Sequence, residues 1–532
     1  MGEVYSKASS VIAWLGEDEG TMGGEVAVAV MTVHATMENG LKANPGRSLD
    51  DLLANDIEGA AKIVPVDEEN SSGMNTVSLY AVEGPPPNSF PSMQDVVNLF
   101  YETGRPNPFR ALNTYFGKQY WQRVWCVQEL RLAPKAAIRI GSLQIPAECV
   151  ATFAAWYQAK VLTNQISHPI HSTGINNAGP MLLNSRRGRF RQQHHHPTQL
   201  LPTLHDFRNF QATNPRDKVY GLMGVAQREL SHVPLYVDYR KSVNEVYQDA
   251  VRSIIGDTND LQALSYVDHG AEYYHNSGYS SWVPRRDSPT CVCPTLWYER
   301  NEYSAGPPLS NIRTLFACPG LLNVTGIYFD TVTFSSHEID AQAALFVEDK
   351  ALKDIFDKFA GEIEQDRSRD SSNAPGQYRL SAEALATAFT GGFTFMHSPT
   401  TYMTYVDKLH GEYGYWFMQD FWRRVRRESS SDASSPSWNT NAYDEKARDM
   451  CNHRRIFRTS RGYVGLGPAC MREEDHVVVL EGAKVPVVLR PLNLDMQEFA
   501  FTGECFVYDI WCGQIMRMVG KDNVKEMHFI LR

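Results

Sequence analysis

The chain of 532 residues contains no run of about eighteen apolar residues, the length that a membrane-crossing helix requires. Its opening, Met1 to Ser10, lacks the apolar core of a secretory signal. Positive charge is also scarce. Fifty-one lysines and arginines against 61 aspartates and glutamates leave a formal net charge of -10, which argues against a general nucleic-acid binder, since such a protein needs a basic face. The nine cysteines stand singly except for Cys291 and Cys293. An odd, unclustered set points to free thiols in a reducing, cytoplasmic compartment and not to a disulfide frame, and no second pair lies at zinc-finger spacing. There is no P-loop, no G-x-G-x-x-G behind a strand, no G-x-S-x-G and no H-E-x-x-H. Gly462 to Gly467 reads G-Y-V-G-L-G, but it lies among β-runs with no helix to turn an N-terminus towards phosphate, so it is read as a turn.

What is present is ordinary globular material. Hydrophobic residues at 43% and charged ones at 21% exclude wholesale disorder, and the length predicts more than one domain. Met1 leads into a helical pattern (Val4, Tyr5, Ala8), then into the apolar run Ser10 to Gly16, read as a buried parallel strand. Glu25 to Met37 predicts an amphipathic helix. Residues 39–113 are read as an insertion with helices near 49–63 and 93–101, an acidic loop at 67–73 and the stiff stretch Gly84 to Asn88. Ala136 to Gly141 predicts a second strand and Pro146 to Leu162 a helix, an α/β rhythm. The arginines at 186–191 and the run His194 to His196 read as a solvated loop. Asn214 or Asp217 is expected to cap the helix that follows, with Gly221 and Gly224 allowing close packing. Ser242 stands three residues before Glu245, a capping box ahead of the stripe Val246, Ala250, Val251 and Ile254. Ser281 to Pro284 suits a core-docking turn. Residues 289–303 read as a linker, 315–333 as strands, 351–364 and 406–427 as helices, and 455–532 as a small antiparallel β module broken by glycine turns. The division expected is 1–145, 146–288 (mostly helical), 289–454 (mixed, with flexible connectors) and 455–532.

The stretch from Trp121 to Leu132 reads as one short helix with Trp121, Val124, Trp125 and Leu132 on one face. Glu129 lies one turn beyond Trp125, at the edge of that face, where indole shields one side of the carboxylate and water the other. Two readings follow. Either Glu129 is aimed at a ligand, or it pairs with Arg123 or Arg131 near a domain edge.

Four blocks taken together resemble the fungal heterokaryon-incompatibility (HET) domain proteins. They are Met1 to Ala8 with Val11 to Gly16; Arg123 to Glu129 with Leu132 and Ala133; Asn214 to Gly224 with Val237 to Tyr239 and Ser281 to Pro284; and Arg461 to Pro468 with Asp475 to Ala483, Val488 to Arg490 and Gly503 to Tyr508. The resemblance implies a role in fungal non-self recognition leading to programmed cell death, and a fold related to Toll/interleukin-receptor (TIR) domains, with a partial parallel sheet flanked by helices. Trp125 to Leu130 is similar to the Trp-Cys-x-x-Glu-Leu stretch of plant TIR domains. By that likeness Glu129 is the carboxylate for cleaving NAD at the nicotinamide–ribose bond, with Trp125 beside it and Arg123 and Trp14 as further binding residues. NAD enters as a substrate, not as a resident cofactor.

The family's opening strand block has no counterpart here. The resemblance therefore also admits an inactive interaction protein, or a truncated relic completed by another chain. It implies self-association or association with another incompatibility protein, with no nucleic acid and no metal.

Overall fold

The structure, a computed structural model, describes chiefly residues 2–17, 114–162, 200–226, 234–271, 278–288, 305–310, 318–340, 381–394, 451–510, 513–519 and 524–532, with short pieces between them. It is a mixed helix-and-strand protein of two compact units, Met1–Glu229 and Leu230–Arg532. The helices predicted at 93–101, 351–364 and 406–427, the polar loop at 186–196 and the Cys291–Cys293 pair lie wholly or largely outside the described residues.

In the first unit, α1 (Gly2–Lys7) precedes β1 (Val11–Trp14). The described positions from 26 to 34 are helical and bury Val26, Ala27, Val30 and Val33, the spacing of an amphipathic helix. β2 (Lys62–Val66) and β3 (Leu79–Glu83) pair antiparallel. The end of the helix expected at 49–63 is therefore strand, as suits its β-branched Ile63, Val64 and Val66. Next come α2 (Trp125–Leu132), β4 (Ala136–Ile140), β5 (Leu143–Pro146), α3 (Ala147–Leu162), α4 (Leu200–Asp206) and α5 (Asp217–Met223). β1 runs parallel to β4, and β4 turns back on β5 through Gly141, whose φ of 54° suits a two-residue hairpin. Tyr115, Phe116, Trp121 and Phe153 form the aromatic core beneath, with ring centroids 5.1 to 6.5 Å apart.

The second unit opens with α6 (Val243–Thr258). Ser242 accepts from the Glu245 amide while the Glu245 carboxylate accepts from the Ser242 amide, the predicted capping box. Trp282 is fully buried, its indole donating to the Gly320 carbonyl at 3.2 Å. The Ser281 amide donates to the carbonyl of Arg532, and its hydroxyl accepts from the Phe501 amide at 2.9 Å. This is the docking turn expected at Ser281 to Pro284.

β6 (Leu322–Ser335) follows, then α7 (Ala382–Phe389) with the small pair β7 (Phe393–Thr394) and β8 (Thr404–Tyr405). The remaining strands are β9 (Arg454–Thr459), β10 (Val464–Pro468), β11 (His476–Leu480), β12 (Val487–Asn493), β13 (Glu498–Glu504), β14 (Phe506–Val507) and β15 (Lys525–Leu531). β11, β12, β13, β15 and β6 pair in that order, and β6 pairs again with β11. The sheet thus closes into a five-stranded barrel, leaving no open edge among those five strands. All its pairings are antiparallel except β13 with β15. The C-terminal half of β6 leaves the barrel to pair with β9, which carries β10 and β14. The β module expected within 455–532 therefore takes a strand from far upstream, because β6 is what satisfies the outer hydrogen-bonding edges of both β11 and β15.

Among the described residues two ion pairs are buried in this unit. Arg490 grips Asp475 by donating from Nε and Nη2 to its two carboxylate oxygens, each at 2.9 Å, and Arg454 meets Glu504 at 2.8 Å. Asp330, also buried, accepts from the Ser460 hydroxyl and the Arg461 amide, which pins the β9–β10 turn, with Gly462 at φ 94°, to β6.

Candidate functional site

The helix carrying Glu129 is shorter than its sequence pattern suggested. Trp121 lies in a 3-10 turn, Gln119–Gln122, and Arg123 is extended at φ -83° and ψ 131°. The break has a non-local cause. The Val124 amide donates to the Gln211 carbonyl at 2.9 Å and the Gln211 amide donates to the Gln122 carbonyl, so the backbone at 122–124 pairs with a distant segment instead of continuing a helix. The buried residues of α2 are accordingly Cys126, Val127, Gln128 and Leu130, and not Trp125 and Leu132.

This rotation sets the surroundings of Glu129. The Tyr120 hydroxyl donates to Oε2 at 2.9 Å, and the Tyr5 hydroxyl, from α1, donates to Oε1 at a longer 3.4 Å. Among the described residues these two hydroxyls, and neither Arg123 nor Arg131, are the hydrogen-bond partners of the carboxylate. Tyr120 is itself held: its ring meets Trp121 edge-on at 5.5 Å and its carbonyl accepts from the Cys126 thiol at 2.9 Å. Burial, then the charges of Cys126 and Glu129, push the Tyr120 hydroxyl far above its ordinary range. Tyr5 is raised by burial first and by Glu129 second. The Cys126 thiol is pushed up to about 12, again by burial and then by Glu129, so it stays protonated near neutrality and is no nucleophile.

Of the other residues singled out from sequence, Trp125 is half-buried one turn before Glu129 on α2, and its indole turns to α5, its nitrogen donating to Asp217 Oδ2 at 3.2 Å. Arg123 is exposed at the break, close enough for its charge to act on Tyr5. Trp14 is 58% exposed on β1 and takes no part in these hydrogen bonds. α5 seats the inner side of α2. Gln128 donates to the carbonyls of Tyr220 and Gly221, and a Cβ on Gly221 would come within 3.1 Å of Val124. The close packing expected at Gly221 and Gly224 is present, but Asn214 makes a local turn, accepting from the Arg216 amide, instead of capping α5.

Sequence reasoning missed Tyr5 and Tyr120. One is 124 positions away from Glu129, and the other sits in a 3-10 turn out of helical phase with it. Chemically the site is a half-sheltered acceptor with both oxygens oriented. Such a group suits a cation or sugar hydroxyls better than covalent attack. Among the described residues no group of three or more His, Cys, Asp or Glu side chains could hold a metal ion, and no helix is long and apolar enough to cross a membrane.

Residues 430–528 match the Het-6 beta-barrel domain. The Het-6 barrel match ties the second unit to heterokaryon-incompatibility proteins, in agreement with the C-terminal sequence block. It spans β9 to β14 and the start of β15 but not β6, the strand that closes the barrel. Glu129 and the rest of the first unit lie outside it. No curated protein and no solved structure matches the chain.

Proposed function

We propose that this chain is a fungal non-self recognition protein of the heterokaryon-incompatibility type, a cytoplasmic effector whose engagement leads to cell death. The single observation that carries the reading is the Het-6 barrel match over residues 430–528. In this reading the closed barrel presents a recognition surface, while the α/β unit delivers the response, acting through self-association or with another incompatibility protein. The test is inducible expression of the full chain in a filamentous fungus, scored by colony viability. Loss of viability on induction supports the reading, and normal growth at matched protein levels counts against it.

A second, finer reading concerns the α/β unit. Its kinship with TIR domains rests on the Trp125 to Leu130 stretch, and the activity that follows is cleavage of NAD at the nicotinamide–ribose bond. The observation favouring it is the half-sheltered Glu129 carboxylate, oriented by the Tyr5 and Tyr120 hydroxyls. Departure of nicotinamide leaves an oxocarbenium-like ribose. A fixed carboxylate next to it stabilises that charge or orients the ribose hydroxyls, as glycosidase carboxylates do. Trp125 would wall the site, and Arg123 would attract the pyrophosphate. The rival is an interaction protein without catalysis. It draws support from the same contacts, because Tyr5 and Tyr120 on Glu129, together with Trp125 on Asp217, also hold α1, α2 and α5 together.

A further inference from the structure

The two hydroxyls on Glu129 are unequal. Tyr120 reaches Oε2 at 2.9 Å, lies in the turn directly before α2, and is fixed through its ring by Trp121 and through its carbonyl by Cys126. Tyr5 reaches Oε1 at 3.4 Å, near the limit of a hydrogen bond, from the six-residue helix α1, where Val4 beside it is 64% exposed. A six-residue helix has little intrinsic stability and depends on its contacts with the rest of the unit to keep its place. One oxygen is therefore held firmly and the other is covered by a loosely bonded group on a weak element.

We infer that Tyr5 is a displaceable cap on Glu129: a ribose hydroxyl of a nicotinamide dinucleotide takes the place of the Tyr5 hydroxyl on Oε1, while Tyr120 is the positioning residue that holds Oε2 throughout. The assignment rests on the NAD-cleavage reading and deepens it. The exchange is hydroxyl for hydroxyl at the same acceptor, so no charge is created or lost, and the carboxylate is never left bare in its half-buried site. α1 then regulates access, since whatever loosens it uncovers the oxygen that faces the sugar.

The test is calorimetric titration of ADP-ribose into the full chain, with melting temperatures in parallel. Tyr5→Phe removes the competing hydroxyl and tightens binding by about three- to tenfold, the worth of one long, weak hydrogen bond. Tyr120→Phe frees Oε2 and weakens binding by a similar factor. In a Glu129→Gln background the gain from Tyr5→Phe disappears, a coupling that a purely structural tyrosine would not produce. Wild-type binding with Tyr5→Phe at unchanged or weaker affinity overturns the cap assignment alone. No ADP-ribose binding and no nicotinamide release by the wild type overturn the NAD reading, and the cap with it.

Discussion

Replacing His269 with glutamine should flatten the acid sensitivity of the second unit. His269 is buried, stacks on Tyr273 with ring centroids 3.7 Å apart, and its Nε2 donates to the Ser281 carbonyl at 2.9 Å. Burial, the largest influence, holds its pKa down to about 4, against an ordinary value of about 6.5. Above the ordinary value the imidazole is neutral in both folded and unfolded chains, and its contribution to stability is complete. As pH falls below about 6.5 the unfolded chain takes up a proton that the folded one refuses, so stability is lost until the pH reaches about 4. The shift corresponds to about 3 kcal/mol across that window, to order of magnitude. Because His269 bonds to Ser281, which ties to Arg532 and Phe501, the loss should be felt where the chain terminus meets the barrel. The assay is hydrogen exchange at the Val283 and Phe501 amides from pH 7.5 to 4.5, corrected for intrinsic rates, in wild type and His269→Gln. The variant starts less protected but loses less protection on acidification, keeping a shallower slope to which His476, which burial also lowers, contributes. Parallel slopes in the two proteins would refute the reasoning.

Other outcomes follow from the barrel. Asp475→Ala leaves the buried Arg490 guanidinium without its carboxylate and should cost about 3–5 kcal/mol in urea unfolding, whereas the double change Asp475→Val, Arg490→Met should recover most of that loss. A Cβ at Gly465 would press on the Phe506 carbonyl and stand 2.6 Å from the Phe457 ring, so Gly465→Ala should destabilise the β9–β10–β14 sheet by about 1–3 kcal/mol or more. In the first unit, a Cβ at Gly221 meets side chains and no backbone, the two Val124 methyls at 3.1 and 3.3 Å and the Trp125 ring at 3.7 Å, so Gly221→Ala should be milder, as followed by melting temperature.

Local chemistry was legible in the sequence. The Ser242–Glu245 capping box, the turn at Gly462 and the docking of Trp282 all depend on residues within a few positions, or on a size and polarity that leave one option. The errors share a cause in long-range pairing. Trp121 to Leu132 carries a helical pattern throughout, yet the bonds to Gln211 break it at Arg123 and turn Glu129 towards Tyr5 and Tyr120. β6 reads as an ordinary strand, and nothing local says that it closes a barrel with β11, about 150 positions later. The pairing of Glu129 with a neighbouring arginine was plausible by charge alone. It failed because the shortened helix leaves Arg123 in an extended, exposed segment.

For the first unit the central claim is that the acid held between two tyrosines does chemistry. Nicotinamide release from NAD by the purified full chain, measured beside Glu129→Gln of equal melting temperature, tests this most directly. The account predicts steady release by the wild type and only background from the variant. Equal background from both would contradict it and leave the first unit a scaffold.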